Sequence, residues 1–254
     1  MTDLREKVLE YRAVLDTLRP LAAGTVEALD RWYDVELTYT SNALEGNTLT
    51  RSETAIVLEK GITVSGKPLK DHLEATGHQQ ALLYMRDLAR GSEPLRETDI
   101  RNLHRLVLGQ VSPDEAGKYS SHERSITGSA AILPSPPEIP GLMQVFTEWL
   151  ASAPATPETA FDAHQRLVLI HPFSDGNGRT SRLLMNLLLL RQGFPPVVIL
   201  PEQRREYHDA LEHVHTAGDL RPFHEFLYGC LLASLERTLR VLHAPGFETP
   251  HPVR

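Results

Sequence analysis

Hydrophobic residues recur every three or four positions along most of this chain, which is the spacing that buries one face of an α-helix. In the first segment they stand at Leu4, Val8, Tyr11, Leu15 and Leu18. The same spacing predicts ten helices, over residues 3–18, 25–44, 51–61, 69–90, 97–109, 137–151, 157–170, 178–192, 201–216 and 220–242. We therefore expect an all-α fold.

Capping residues mark some of the helix ends. Gly46 and Asn47 follow the second helical stretch and are typical of a helix stop. Thr50 precedes the third stretch, with Glu53 three residues later, which is the pattern of a capping box. Two predicted helices are therefore separated by a short turn over residues 45–50.

One stretch lacks the helical spacing. Residues 123–134 read ERSITGSAAILP, with β-branched residues around Gly128 and a proline-rich exit. Such a pattern is typical of paired extended segments. It predicts a short β-hairpin flap on the helical body. Residues 244–254 are also rich in proline, and we expect them to form a loose tail.

The composition is that of an ordinary globular protein, with 41% hydrophobic and 23% charged residues among 254. The net charge of −7 disfavours a nucleic-acid binder, which usually carries a basic excess. The single cysteine, Cys230, excludes an internal disulfide and fits a reducing compartment. Residues 1–20 lack the apolar core of a signal peptide, and no apolar run is long enough to span a bilayer. We expect a cytoplasmic enzyme with neither a nucleic-acid nor a membrane partner.

Residues 171–182, HPFSDGNGRTSR, combine several chemical groups within twelve positions. An apolar helix ends at His171, and a glycine-rich turn leads into a second apolar helix. Backbone N–H groups at such a turn point into one concavity at the positive end of the helix dipole, which favours phosphate. Arg179 and Arg182 offer bidentate contacts to phosphate, and Asp175 is a ligand suited to Mg²⁺.

His171 completes this set because its ordinary pKa, about 6.5, suits a general base near neutral pH. A DGNG sequence by itself is usually a turn, and a histidine before proline is usually a helix end. Those structural interpretations account for each part separately but not for the combination. The segment therefore indicates phosphoryl or nucleotidyl transfer.

The segment resembles the Fic family signature HPFxDGNGRxxR and matches every specified position. The resemblance extends over about residues 39–242. It implies a Fic-type helical bundle that transfers AMP from ATP to a Ser, Thr or Tyr hydroxyl of a target protein. His171 would be the general base, and Asp175 would hold Mg²⁺, with Mn²⁺ as an alternative.

The resemblance also implies roles for residues around the signature. Phosphates would contact Gly176, Asn177 and Gly178, with Asn177 also offering its side chain, and Arg179 and Arg182 would neutralise their charge. The flap tip and the adenine pocket would be formed by Thr127, Gly128 and Ser129, and by Tyr207 and His208. Two positions depart from the family pattern: Ser120, where arginine is frequent, and His215, where asparagine is frequent.

Residues 41–47, SNALEGN, resemble the family's inhibitory motif, in the class whose inhibitory helix precedes the catalytic domain. The resemblance implies that Glu45 pairs with Arg182 and keeps it from the γ-phosphate, while Ser41 anchors the helix. It divides the chain into N-terminal helices over residues 1–60, a catalytic core over 61–243 and the tail. Relatives of this class pair through the segment around Gly66 to Leu69, so we expect a homodimer.

Other functions stay open. Glu45 could position a water that removes AMP from a modified target, and the nucleotide donor could be UTP or a choline-bearing nucleotide. A zinc hydrolase would need a metal cluster, but the sequence lacks an HExxH motif, and His208, His213 and His215 do not share one helix face. A non-catalytic binding module with a decayed site is disfavoured by the intact signature.

Overall fold

The computed structural model describes residues 2–126, 129 and 131–244, and over these residues the fold is all-α, as predicted. The helices are α1 (Thr2–Thr17), α2 (Ala23–Leu44), α3 (Arg51–Lys60), α4 (Leu69–Arg90), α5 (Glu97–Leu108), α6 (Ile139–Ser152), α7 (Pro157–Ile170), α8 (Asn177–Arg191), α9 (Arg204–Ala217) and α10 (Arg221–Val241). Short 3₁₀ turns, Pro136–Glu138 and Pro201–Gln203, precede α6 and α9.

The predicted helix ends agree closely with the structure. Thr50 and Glu53 form the capping box at the start of α3, and Gly61 ends that helix in the left-handed region at φ 65°. The start of α9 differs from the prediction by three residues. There, Pro201 begins a 3₁₀ turn, and regular α-helix starts only at Arg204.

Helix α8 lies at the centre of the fold. It packs against α4, α5 and α7, and it contacts α2. Met185 and Leu189 belong to one hydrophobic cluster, whereas Leu183, Leu184 and Leu187 belong to a second cluster on another side of the helix. A helix that is apolar on all sides is buried. The amino end of α8, which carries the signature, is therefore fixed by packing from several directions.

The N-terminal helices pack directly onto the rest of the chain. Val8 and Leu15 of α1 share a hydrophobic cluster with Leu231 and Leu235 of α10. Helix α2 packs against α3 and α4, and its carboxyl end reaches α8. This contact brings the predicted inhibitory motif to the predicted catalytic motif.

The flap segment shows no strand among its described residues, which are 123–126, 129 and 131–134. Thr127 and Gly128 lie outside the described residues. The two limbs of the segment are joined by a side chain, because Arg124 donates from Nη2 to the carbonyl of Pro134. The all-α body is thus confirmed, whereas the described flap residues form no β-hairpin, and their backbone contact is the turn bond from the Ser129 N–H to the Ile126 carbonyl at 3.0 Å.

The carboxyl end differs in part from the predicted loose tail. Ala244 is fully buried, and its N–H donates to the carbonyl of Leu239, so this residue still belongs to the packed body. Residues 245–254 of the predicted tail lie outside the described residues. Within the described part of the chain, every helix is too short or too polar to cross a membrane.

Candidate active site

His171 is held at the carboxyl end of α7. It is the C-cap residue and adopts the left-handed conformation, with φ 48° and ψ 55°. Its Nδ1 lies 3.2 Å from the carbonyl of Val168. A carbonyl only accepts hydrogen bonds, so Nδ1 carries the proton and Nε2 has the free lone pair. This tautomer is the one that a base acting through Nε2 requires.

The surroundings keep His171 neutral. Burial is the largest influence and lowers the pKa of the imidazole, and the charge of Arg124 lowers it further. The Val168 carbonyl and the charges of Glu45 and Asp175 act in the opposite direction without reversing the shift. The pKa of His171 therefore lies below its ordinary value, and the ring is an unprotonated base at pH 7.

Asn177 braces the signature loop from within. Its Oδ1 accepts from the N–H of Phe173 at 2.9 Å, and its Nδ2 donates to the carbonyl of the same residue at 2.8 Å. We expected this side chain to reach phosphate, but both of its polar atoms are already bonded to the loop. It sets the loop shape, while the backbone N–H groups at the start of α8 are the groups there that suit an anion.

Asp175 fits the predicted role of a cation ligand. Its side chain is 56% exposed, and Oδ1 accepts from the N–H of Gly176 at 2.6 Å and faces Arg179 at 3.4 Å. These contacts leave Oδ2 for a cation. The described residues contain no group of three or more His, Cys, Asp or Glu side chains suited to a metal, so they give no support to a zinc site. A single carboxylate beside bound phosphates is a common way to hold Mg²⁺.

Arg179 is placed differently from the prediction. Its side chain is 1% exposed and lies outside the cavity at the signature. The guanidinium donates to Glu74 of α4 at 3.1 Å and approaches Asn42 of α2 at 3.4 Å. In this state Arg179 therefore ties α2, α4 and Asp175 together and does not present its charge to a nucleotide.

Arg182 is fully engaged by the predicted inhibitory motif. It donates from Nη2 to the Glu45 carboxylate at 2.7 Å and to the Ser41 carbonyl at 2.9 Å. Its Nε donates to the Ser41 hydroxyl at 2.9 Å. Burial is the largest influence and raises the pKa of the Glu45 carboxyl, but the charge and hydrogen bond of Arg182, together with the charge of Arg179, outweigh it and leave the pKa below its ordinary value. The structure thus brings together the three residues that the sequence analysis had grouped.

Glu45 stands between two anchored points of the chain. Just before it, Leu44 is 1% exposed, and its carbonyl accepts from Arg204 at 3.0 Å. Just after Gly46, the Asn47 side chain donates to the backbone carbonyl of Asp71 and to the Glu74 carboxylate, each at 3.0 Å. The backbone that carries Glu45 is therefore fixed on both sides.

Glu45, Arg182 and His171 face one cavity of about 420 Å³. Its walls are completed by Ile126, Ser129, Val168, Gly178, Arg204, Tyr207, His208, Asp209, Leu211, Glu212 and His215. A Cβ atom added to Gly178 would overlap the Glu45 carboxylate and come within 3.1 Å of Arg182. The Glu45 carboxylate therefore lies directly over the start of α8, where the sequence predicts phosphate binding.

Tyr207 and His208 both line the cavity, but Tyr207 lies beside the arginine. Its hydroxyl is 3.4 Å from Nη1 of Arg182 and 2.8 Å from Nε2 of His164. His164 is fully buried, and burial holds its pKa well below the ordinary value. Tyr207 therefore supports Arg182, whereas His208 and His215 line the cavity without a hydrogen bond to that arginine.

Ser129 is the described residue of the predicted flap tip, and it reaches the cavity. Its hydroxyl donates to the carboxylate of Glu212 on α9. This contact joins the flap to the cavity wall opposite the signature loop.

Two buried residues that position the site were not identified from the sequence. Glu74 holds Arg179, and His104 of α5 contacts the signature loop. A signal for Glu74 was present, because Asp71, Glu74 and His78 occupy the face of α4 that also buries Ala75 and Leu82. Polar residues on a buried helix face need partners, so this face could have been recognised as part of a polar network.

The comparisons with known proteins agree with this geometry. Residues 94–189 match the model of the Fic/DOC family. The chain is 42% identical over 245 residues to "Protein adenylyltransferase Fic" from Nematostella vectensis, covering 93% of this chain and 55% of that protein. The structure resembles Fic-1 (aa134 - 508) from C. elegans with a TM-score of 0.84 at 33% identity, covering 95% of this chain and 73% of that one.

A second solved structure is matched over its whole length. It is a Fic domain containing signaling protein from Bacteroides thetaiotaomicron, with a TM-score of 0.84 and 31% identity, and the match covers 95% of this chain and 100% of that one. The chain spans about half the length of the curated relatives it matches. With this likeness in sequence, fold and signature, the chain belongs to the Fic family.

Proposed function

We propose that the chain is an autoinhibited protein adenylyltransferase, which moves AMP from ATP to a hydroxyl side chain of a target protein. The observation that carries the proposal is one cavity of about 420 Å³ lined by His171, Gly178 and Arg182. A neutral base, the amino end of a helix and an arginine are the groups that nucleotidyl transfer needs. Relatives that carry the name "Protein adenylyltransferase Fic" support it further.

In the proposed reaction, Nε2 of His171 accepts the proton of the target hydroxyl. The hydroxyl oxygen forms a bond to the α-phosphorus, and the bond between that phosphorus and the bridging oxygen of pyrophosphate breaks. N–H groups at the start of α8 stabilise the charge on the phosphate oxygens. A Mg²⁺ ion on Asp175 would offset the charge of the phosphates.

Autoinhibition follows from the state of Arg182. Ser41 and Glu45 together accept three of its hydrogen bonds, at 2.7–2.9 Å. The carboxylate also lies over Gly178, where an incoming phosphate would have to enter. Binding ATP productively therefore requires the Glu45 carboxylate to leave Arg182.

The experiment that tests the activity compares two labels. Purified chain is mixed with Mg²⁺ and a lysate that contains the target. The chain should label the target protein with ³²P from the α position of ATP and not from the γ position. Both arms use the Glu45→Gly variant, in which the proposed inhibition is removed, and α-labelled UTP tests the choice of donor. Labelling from the γ position above the level of the lysate without added chain would mean phosphoryl transfer by this chain and would contradict the proposal.

Removal of AMP from a modified target is the second candidate, and the position of Glu45 favours it. Its carboxylate is 36% exposed and faces the cavity that contains His171. The lowered pKa keeps the carboxylate ionised, so it can accept a hydrogen bond from water. Target labelled by the Glu45→Gly variant should then lose its label when unlabelled wild-type chain is added. Retention of the label would remove this candidate.

The target and a second copy of the chain are the proposed protein partners. We assign target binding to the flap, whose residue Ile126 lines the cavity and whose residues 123–126 lie in neither helix nor strand and could pair with a target strand. We assign the dimer contact to the segment around Leu69, which is 65% exposed; Ile62, seven residues earlier in the chain, is 55% exposed. Sedimentation should show a dimer for wild type and a monomer for Leu69→Asp. A wild-type monomer would contradict the dimer.

A further inference from the structure

His104 of α5 lies behind the signature loop and is fully buried. Its Nδ1 accepts from the backbone N–H of Gly117 at 2.9 Å, since an N–H group can only donate. Its Nε2 is 2.9 Å from the carbonyl of Asp175, which can only accept. The ring is therefore a neutral imidazole with its proton on Nε2, and both nitrogens are used by backbone groups of two different loops.

The ring is also held by packing. It stacks on Phe173 with a centroid distance of 3.7 Å and an interplanar angle of 3°. A Cβ atom added to Gly176 would lie 3.3 Å from two atoms of the His104 ring. The imidazole thus fills the space behind the signature loop, between Phe173 and the glycine that precedes α8.

We propose that His104 is a positioning residue that fixes the peptide plane between Asp175 and Gly176. This inference rests on the proposed function for its catalytic consequence, but the structural statement stands alone. The Asp175 carbonyl and the Gly176 N–H belong to one planar unit, so holding the carbonyl also fixes the direction of the N–H. That N–H donates to Oδ1 of Asp175 at 2.6 Å and so orients the carboxylate.

A flip of this peptide plane is the change that His104 prevents. Gly176 has φ 74°, and a peptide that precedes glycine can rotate at little steric cost. A flip would turn the Gly176 N–H away from Oδ1 and leave the Asp175 carboxylate without its backbone bond. The carboxylate would then be free to rotate away from the position in which it could share a cation with bound phosphates.

The loop that follows α5 and contains Gly117 makes the support rigid. The Gly117 N–H donates to His104, and the Gly117 carbonyl accepts at 2.8 Å from Arg101, which lies in α5 like His104. Further contacts join the two loops, from the Ser120 N–H to the Pro172 carbonyl at 2.9 Å and from Ser174 to Glu115 at 2.6 Å. His104 therefore connects the signature loop to a segment that α5 already holds.

Two variants separate the two hydrogen bonds. His104→Gln places an amide N–H near the position of Nε2 and retains the donor to Asp175, but it loses the acceptor for Gly117. His104→Asn places a carbonyl near the position of Nδ1 and retains the acceptor, but it loses the donor to Asp175. Both variants lose the stacked ring, so each is the matched control of the other for packing.

The first measurement is hydrogen exchange of the peptide that covers residues 172–178, in the full chain without nucleotide. His104→Asn should speed exchange in this peptide about tenfold or more, and His104→Gln should change it by less than about threefold.

The second measurement is the Mg²⁺ dependence of AMP transfer in the Glu45→Gly background. His104→Asn should raise the half-saturating Mg²⁺ concentration about tenfold or more, in the range usual for residues that orient metal ligands, while His104→Gln stays near the parent.

Equal effects of the two variants on exchange and on Mg²⁺ dependence would show that His104 only fills space, and would overturn the inference. If the Glu45→Gly parent transfers no AMP, the proposed function fails, but the exchange measurement still tests His104. Thermal melting of each variant checks that both chains fold. A variant that does not fold is replaced by His104→Ala with imidazole added, which should slow exchange of residues 172–178 if the ring itself supplies the bond.

Discussion

Replacing His171 with asparagine should lower AMP transfer by about 10²- to 10⁴-fold, the usual contribution of a general base. In the proposed reaction the neutral Nε2 of His171 takes the target proton, and asparagine offers no base. Asparagine tolerates the left-handed backbone that this position requires, whereas alanine does not adopt it readily. The rate of transfer is measured with α-labelled ATP in the Glu45→Gly background, and nucleotide affinity is measured by calorimetry.

Nucleotide affinity provides the control for this prediction. His171 is assigned to the target hydroxyl and not to the phosphates. The ATP affinity should therefore stay within about threefold of that of the Glu45→Gly variant, a free-energy difference of about 0.7 kcal/mol or less. A variant that still transfers AMP would show that another group accepts the proton.

The pH profile of AMP transfer gives a further check. Transfer should be lost as pH falls through the pKa of His171, and this pKa lies below the ordinary value because the ring is buried.

Replacing Glu45 with glycine should raise AMP transfer strongly. The variant removes the carboxylate that holds Arg182 at 2.7 Å and covers Gly178. A hydrogen bond between charged groups contributes about 1.5–3 kcal/mol, so its removal corresponds to roughly 10- to 100-fold tighter productive binding of ATP. The measurements are the ATP affinity and the initial rate of labelling.

Two matched variants identify the cause of this activation. Glu45→Ala removes the carboxylate without adding the backbone freedom of glycine, and it should activate to a similar degree. Glu45→Gln keeps the shape of the side chain but loses its charge, so its activation should be smaller. Wild type and Glu45→Ala with equal ATP affinity would contradict the inhibitory role of Glu45.

The helices and the central part of the site were predictable because both follow from local rules. Capping residues such as Thr50 and Gly61 end helices through contacts within a few positions, so sequence spacing is enough to place them. The signature around His171 is also continuous in sequence. Its base, its glycine turn and Arg182 therefore lie together once the two apolar helices are recognised.

The contacts of Arg179 and His104 join residues that lie far apart in sequence. Arg179 and Arg182 are two arginines of the same signature, three positions apart. Arg179 nevertheless donates to Glu74, which is 105 positions away. His104 is separated from its partner Asp175 by 71 positions. No local pattern specifies such pairs, because they arise only when α4 and α5 pack against α8. The flap is a different case, since its predicted pairing depends on residues that include Thr127 and Gly128.

The anchored backbone around Glu45 determines how fast the proposed inhibition can be relieved. Leu44 and Asn47 are fixed on either side, so the carboxylate leaves Arg182 by rotation of its own side chain, without melting of α2. Rotamer changes of exposed side chains take picoseconds to nanoseconds, whereas a typical enzyme turns over in milliseconds or longer. The blocked and open forms therefore interconvert many times within each catalytic cycle. Progress curves of the wild-type chain should begin without a lag, with ATP and Glu45 competing for Arg182 as ligands at equilibrium.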